Sequence, residues 1–106
     1  MKDITINYLQ KAIKEIDTLP MGNSQKADRY FFMKLIEEVG ELSEVIRKDK
    51  RMKNNEIKDT VEEELYDVLY YVMCLANTYN IDLENSITLK EKLNAEKYKR
   101  KSICEE

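Results

Sequence analysis

Residues that interrupt helices are scarce in this chain of 106 residues, which contains two glycines and a single proline, Pro20. A β-rich fold needs many tight turns, and glycine and proline supply most of the backbone conformations that such turns require. Charged residues make up 37% of the chain. This composition predicts an all-α fold. A chain of this length is expected to form one domain, residues 1–106, around one core.

Apolar residues recur at helical spacing in four segments. We expect helices over residues 3–18, 27–48, 59–79 and 83–100. The stretch "LPMGNSQ", residues 19–25, predicts a loop because it combines Pro, Gly, Asn and Ser. Asp82 is a candidate N-cap for the last helix. The sequence therefore predicts a four-helix bundle-type fold.

Charge and cysteine content limit the protein's partners and location. The formal net charge is −3 with acids and bases intermixed, whereas nucleic-acid-binding modules carry a basic surplus. Cys74 and Cys104 lack metal-type spacing and are expected to be free thiols in a reducing compartment. The N-terminal sequence has no apolar signal region, and the longest apolar run, "VLYYVMCLA", is too short to span a bilayer. We expect a cytoplasmic protein that binds neither nucleic acid nor membranes.

Carboxylates occupy the apolar face of the second helix. In "KLIEEVGELSEVIRKD", residues 34–49, a helical wheel places Glu38 inside the apolar stripe and Glu41 on its margin. The third helix repeats this arrangement, with Glu64 inside the stripe and Asp67 on the margin. The remaining glutamates of the two helices are expected to face solvent, namely Glu37, Glu44, Glu62 and Glu63.

Packing these two faces together would bring four carboxylates into one pocket. Isolated carboxylates are costly to bury, and neighbouring like charges raise each other's pKa. The arrangement becomes favourable if a divalent cation binds among them, and hard oxygen ligands suit Mg²⁺, with Mn²⁺ as a substitute. The sequence therefore predicts a metal site. The alternative is a non-catalytic helical interaction module whose acidic surface contacts a partner.

The acidic motifs resemble those of a known enzyme family. "EEVGE" at residues 37–41 matches an E-E-x-x-E motif, and "ELYD" at residues 64–67 matches E-x-x-D. With "LANTYNIDLENSI" and "KLNAEKYKR" further along, the chain resembles the MazG-like nucleotide pyrophosphohydrolases of the all-α NTP pyrophosphohydrolase superfamily. The resemblance covers residues 27–100.

This resemblance implies an Mg²⁺-dependent hydrolase that converts an NTP or dNTP to the monophosphate and pyrophosphate, with a role in cleaning the nucleotide pool. It assigns the metal ligands to Glu38, Glu41, Glu64 and Asp67. Glu37 would be a carboxylate behind the ligands or would orient the attacking water, so the implied catalytic residues are Glu37, Glu38 and Glu41. The implied contacts to phosphate or sugar come from the last helix, from Lys92, Asn94, Lys97, Tyr98 and Arg100.

Other functions remain open at this level. Hydrolysis of phosphoribosyl-ATP or dUTP fits the same superfamily. A carboxylate-bridged di-iron bundle does not fit, because such sites use Glu-x-x-His ligands and the chain has no histidine. Tyr30, Phe31 and Phe32 suggest either a platform for a nucleobase or part of the core. Residues 69–76 are apolar on all sides, which predicts a central helix or a subunit contact and favours a homodimer or homotetramer.

Overall fold

A computed structural model describes residues 3–17 and 24–105 of the chain. Over these ranges the chain forms four helices and no strand: α1 (Ile6–Ile16), α2 (Ser24–Arg47), α3 (Val61–Thr78) and α4 (Leu83–Tyr98). The predicted all-α fold of four helices is confirmed. None of the four helices is long and apolar enough to cross a membrane.

The helix ends differ from the predicted ones by about one turn. α2 begins at Ser24, earlier than the predicted start at residue 27, so the last two residues of the predicted loop are helical. α4 ends at Tyr98, earlier than predicted, because Lys99 adopts a left-handed backbone with φ 52° that terminates the helix. The predicted N-cap is confirmed, since the Asp82 side chain accepts a hydrogen bond from the Asn85 backbone N–H. The last residue of the first predicted helix and most of the predicted loop, residues 18–23, lie outside the described residues.

The α2–α3 hairpin is the main helix contact, with α1 packed on α3 and α4 packed on α1. The core between these helices is small and centres on Met73, which is fully buried, together with Ile13, Phe31 and Cys74. Of the three consecutive aromatic residues on α2, only Phe31 joins this core, whereas Tyr30 and Phe32 are about half exposed. Cys74 and Cys104 are both free thiols, the first buried and the second exposed.

Gln10 fixes the position of α4 relative to the hairpin. Its buried amide donates to the Ile81 carbonyl at 2.8 Å and to Asn77 Oδ1 at 3.1 Å, and its Oε1 accepts from the Leu83 N–H at 3.0 Å. Paired buried amides of this kind are stabilising, because leaving any of these groups without a partner would cost desolvation energy. α4 therefore starts at the C-terminal end of α3, the end remote from Glu64.

Many apolar side chains of the hairpin remain exposed. On α2 and α3 they are Phe32, Met33, Ile36, Val39, Ile46, Leu65, Tyr66 and Leu69. The predicted all-round apolar segment of α3 is only partly covered, since Met73, Cys74 and Ala76 are buried and Leu69 is not. An apolar surface of this extent is unusual for a monomer and typical of a contact surface.

Candidate metal centre

The loop between α2 and α3 holds the start of α3 through Glu62. The Glu62 carboxylate accepts two hydrogen bonds from the Arg51 guanidinium, at 3.1 and 2.9 Å, and one from the Met52 N–H at 2.9 Å. The bonds from Arg51 and then from Met52 lower the pKa of Glu62 to about 2. Glu62 is therefore an anchor of the loop, in contrast to the solvent-facing role predicted for it.

A second set of bonds caps α3 directly before Glu64. Thr60 is the N-cap, and its hydroxyl accepts from the Glu63 N–H at 3.2 Å. The Glu63 carboxylate in turn accepts from the Asp59 N–H at 2.8 Å. Reciprocal bonds of this kind satisfy the free N–H groups at a helix start and fix where the helix begins. By fixing the start of α3, they also fix the direction in which the Glu64 side chain extends from the first turn of the helix.

Three of the predicted ligands meet where the middle of α2 faces this first turn. One carboxylate oxygen from each of Glu38, Glu41 and Glu64 lies within 4.8 Å of the other two. Glu64 is only 7% exposed, Glu38 is half-buried and Glu41 is exposed. Asp67, one turn along α3, is half-buried and close enough to hydrogen bond with Glu64. We call these four residues the acidic cluster.

Burial and the charges of neighbouring carboxylates raise the pKa of Glu38, Glu64 and Asp67. Burial is the largest cause that raises the pKa of Glu64, to about 7, followed by its hydrogen bond to Glu38 and the charges of Glu41 and Asp67. Burial also raises the pKa of Glu38, with the charge of Glu41 next. Burial is also the largest cause that raises the pKa of Asp67, and the charge of Glu63 raises that pKa further. The surroundings therefore disfavour the ionised forms of Glu64 and Glu38, and a bound cation would favour them.

Unpartnered oxygens show that the cluster fits a cation. Three buried side-chain oxygens among the described residues have no hydrogen-bond partner, and two of them are Glu38 Oε2 and Glu64 Oε2. A buried acceptor without a donor is costly and calls for an unseen partner. A hard divalent cation satisfies carboxylate oxygens of both helices at once. The donor set and its geometry thus fit Mg²⁺ or Mn²⁺.

Glu37 is not part of the acidic cluster and instead forms an ion pair with a lysine. Its Oε2 pairs with the Lys34 ammonium at 3.3 Å, and the same ammonium lies 5.7 Å from the centre of the Tyr71 ring. The sequence patterns did not predict Lys34 or Tyr71 as site residues. The available signal was spacing, because Lys34 precedes Glu38 by one helical turn and Tyr71 follows Asp67 by one turn.

The predicted substrate contacts on α4 have partners within α4 and the residues after it. Asn94 donates to Glu91 at 3.1 Å, and Arg100 donates to Glu91 at 3.0 Å. The Lys97 ammonium lies 5.3 Å from the centre of the exposed Tyr98 ring, and Lys92 is exposed. The contacts described for these five residues lead to Glu91, to one another and to the backbone after α4, and not to the acidic cluster of the same chain.

The chain and its fold are similar to those of known proteins. The chain matches the model of the MazG nucleotide pyrophosphohydrolase domain over residues 29–102. It is similar to two crystal structures of iMazG from Vibrio DAT 722. The Ntag-iMazG structure is 48% identical with a TM-score of 0.77, over 92% of this chain and 100% of that chain. The Ctag-iMazG structure is 49% identical with a TM-score of 0.74, over 86% of this chain and 98% of that chain. No curated protein sequence matches the chain.

Proposed function

The chain belongs to the MazG nucleotide pyrophosphohydrolase family, and from that premise we propose that it hydrolyses nucleoside triphosphates to the monophosphate and pyrophosphate. The observation that carries the proposal is the pair of buried, unpartnered oxygens on Glu38 and Glu64. A purely structural acidic patch would leave these carboxylates exposed to water, where their charges cost little.

In this proposal Glu38, Glu41, Glu64 and Asp67 would hold Mg²⁺, with the buried Glu64 behind it and the exposed Glu41 on the solvent side. The cation would supply neutralisation of the polyphosphate charge and Lewis-acid activation of the α-phosphoryl group. Glu41 is exposed and Glu38 is not, so water and substrate reach the centre along the margin that carries Glu41 and Asp67. A carboxylate on this margin would accept a proton from the attacking water, and Glu37 would act as a carboxylate behind the ligands or orient that water from the solvent side, where it pairs with Lys34.

Substrate contacts from Lys92, Asn94, Lys97, Tyr98 and Arg100 complete the proposal. Their basic groups would stabilise the charge that develops on the pyrophosphate leaving group. Because α4 packs on α1 of its own chain, we propose that α4 of a second copy supplies these contacts.

The exposed apolar face of the hairpin supports a homodimer or homotetramer as the working form. Its side chains lie on the same two helices that carry the acidic cluster, so a second copy packed there would also border the site. Light scattering that shows a stable monomer at micromolar concentration would contradict this part of the proposal.

Two further parts of the proposal concern the biological setting. We propose that the enzyme removes unwanted nucleotides from the cellular pool. We also propose a cytoplasmic location, which the two free thiols support, since exposed thiols such as that of Cys104 persist in reducing compartments.

The test is a screen for pyrophosphate release from NTPs and dNTPs in Mg²⁺ and in Mn²⁺, with phosphoribosyl-ATP and dUTP included. We expect release from at least one canonical or modified nucleoside triphosphate, abolished by EDTA and by Glu38→Gln. Activity confined to phosphoribosyl-ATP or dUTP would reassign the substrate within the superfamily. No release from any of these compounds, together with no effect of divalent cations on the melting temperature, would favour the interaction module.

A further inference from the structure

Lys34 is a cation on the face of α2 that carries Glu38. It precedes Glu38 by one turn of α2, and residues four apart lie on the same helix face. Its ammonium lies 5.7 Å from the centre of the Tyr71 ring, and the charges of both Lys34 and Glu38 act on the Tyr71 hydroxyl. Lys34, Tyr71 and Glu38 therefore border one volume on the hairpin.

Two neighbours restrict where the Lys34 ammonium can go. Glu37 pairs with it from the solvent side at 3.3 Å, and the Tyr71 ring limits it on the side of α3. The side chain is 32% exposed, whereas that of Glu37 is 61% exposed. An exposed pair of this kind adds little to stability. Fold stability therefore does not explain why a lysine is held at the edge of the acidic cluster.

The charge balance of the proposed site gives a better reason for the position of Lys34. A triphosphate carries more negative charge than one divalent cation cancels, and the four carboxylates of the cluster add to the excess. A lysine ammonium suits a polyphosphate because it is a compact charge with three donors that can follow the phosphate oxygens. The contacts described for the basic residues of α4 do not join them to the cluster, whereas Lys34 lies on the hairpin itself, one turn before Glu38.

We propose that Lys34 is a substrate-binding residue that pairs with the pyrophosphate portion of the nucleotide, held in place by Glu37 and Tyr71. This inference rests on the proposed function, since it names a further contact at the same site. The β- and γ-phosphoryl groups are already charged before the reaction, so Lys34 binds ground state and transition state alike. Its loss is therefore expected to change KM more than kcat.

The test compares Lys34→Met, Lys34→Gln and Lys34→Arg with Lys14→Met. Lys14 is an exposed lysine on α1 that contacts Asn80 near the end of α3, so its removal controls for the loss of one positive charge. The readouts are binding of inorganic pyrophosphate in Mg²⁺ by calorimetry, KM and kcat for the best nucleotide, and the shift of melting temperature by Mn²⁺ alone.

We expect Lys34→Met and Lys34→Gln to weaken pyrophosphate binding and raise KM by about 10- to 100-fold, the range for a lost hydrogen bond to a charged group. Lys34→Arg should stay within several-fold of the wild type, and Lys14→Met should match it. The Mn²⁺ shift should be the same in all variants, because Lys34 is not a metal ligand.

Three results would overturn the inference. The first is pyrophosphate binding by Lys34→Met and Lys34→Gln that is as tight as that of Lys14→Met. The second is a loss in Lys34→Arg as large as that in Lys34→Met, which would mean that the charge is not used. A reduced Mn²⁺ shift in the Lys34 variants would instead mean that they damage the metal centre. If the wild type hydrolyses nucleotides, these results remove only the role of Lys34, whereas a wild type that neither hydrolyses nucleotides nor binds pyrophosphate overturns both proposals.

Discussion

Replacing Glu64 with glutamine removes one carboxylate charge from the acidic cluster and nearly preserves the shape of the side chain. Glu64 is 7% exposed, and its pKa is raised from 4.5 to about 7 in the folded chain, chiefly by burial. Because the folded pKa lies above that of the unfolded chain, the ionised carboxylate opposes folding. The stability linked to Glu64 is therefore full below about pH 4.5 and is lost as the pH rises through about 7.

The size of the effect follows from the shift. One pKa unit corresponds to about 1.4 kcal/mol, so the ionised Glu64 would destabilise the metal-free protein by at most about 3.5 kcal/mol. Glutamine has nearly the same shape and can donate to Glu38 as the protonated carboxyl does. In EDTA at pH 8, Glu64→Gln is expected to raise the free energy of unfolding by about 2 kcal/mol. For a chain of this size that is roughly 8 to 16 °C in melting temperature.

The assay is urea and thermal unfolding followed by circular dichroism at pH 5 and pH 8, with EDTA and one fixed protein concentration. At pH 5 the gain should fall well below its value at pH 8, because Glu64 stays protonated in the folded wild type and most of the linked stability is still present. Glu44→Gln is the control, since Glu44 is an exposed residue of α2 paired with Arg47 and Lys48, and it should change stability little at pH 8. A variant that is no more stable than the wild type at pH 8, or equally stabilised at both pH values, would refute the reasoning about burial and repulsion.

Glu38→Gln and Asp67→Asn are expected to abolish pyrophosphate release while the helical circular dichroism stays unchanged, whereas Glu44→Gln should keep its activity; equal behaviour of all three would refute the assignment of the cluster. Mg²⁺ or Mn²⁺ at 100 times its dissociation constant should stabilise the wild type by about 2.7 kcal/mol, seen as a higher melting temperature that EDTA reverses. Met73→Ala removes a fully buried side chain and should cost about 2 to 5 kcal/mol in urea unfolding, and a smaller loss would mean that the core collapses around it. Thr60→Ala removes the cap of α3 and should cost about 1 kcal/mol by the same measurement, with unchanged stability showing that the loop alone fixes the helix start.

Periodicity located the helices because each helix must bury one face, and that requirement is written into residue spacing. The helix ends were less predictable. α2 starts at Ser24, within a stretch whose residue types predict a loop. α4 ends at Tyr98 because Lys99 adopts a left-handed backbone conformation, which a lysine does not specifically favour. Such ends depend on packing and capping bonds between segments, which spacing alone does not specify.

The same distinction holds for the site. Glu38 and Glu64 were identifiable because a carboxylate inside an apolar stripe contradicts the pattern around it. The contacts of Lys34 and the anchoring role of Glu62 were not identifiable in this way. Charged residues at exposed helix positions are common, and residue spacing does not show which partners they have. Arg51, the partner of Glu62, comes from the loop before α3, and the ring beside Lys34 comes from α3 rather than α2.

The sequence by itself determined an all-α chain and two helices that each place carboxylates at i and i+3 on an apolar face, because helix geometry is local. Only the tertiary structure decided that oxygens of Glu38, Glu41 and Glu64 lie within 4.8 Å of one another, that two buried oxygens of this cluster lack partners, and that α4 packs on α1. Those facts depend on how α2 and α3 align along their lengths and on the Gln10 amide that holds α1 to the α3–α4 turn. Such long-range alignment is set by the packing of all four helices at once.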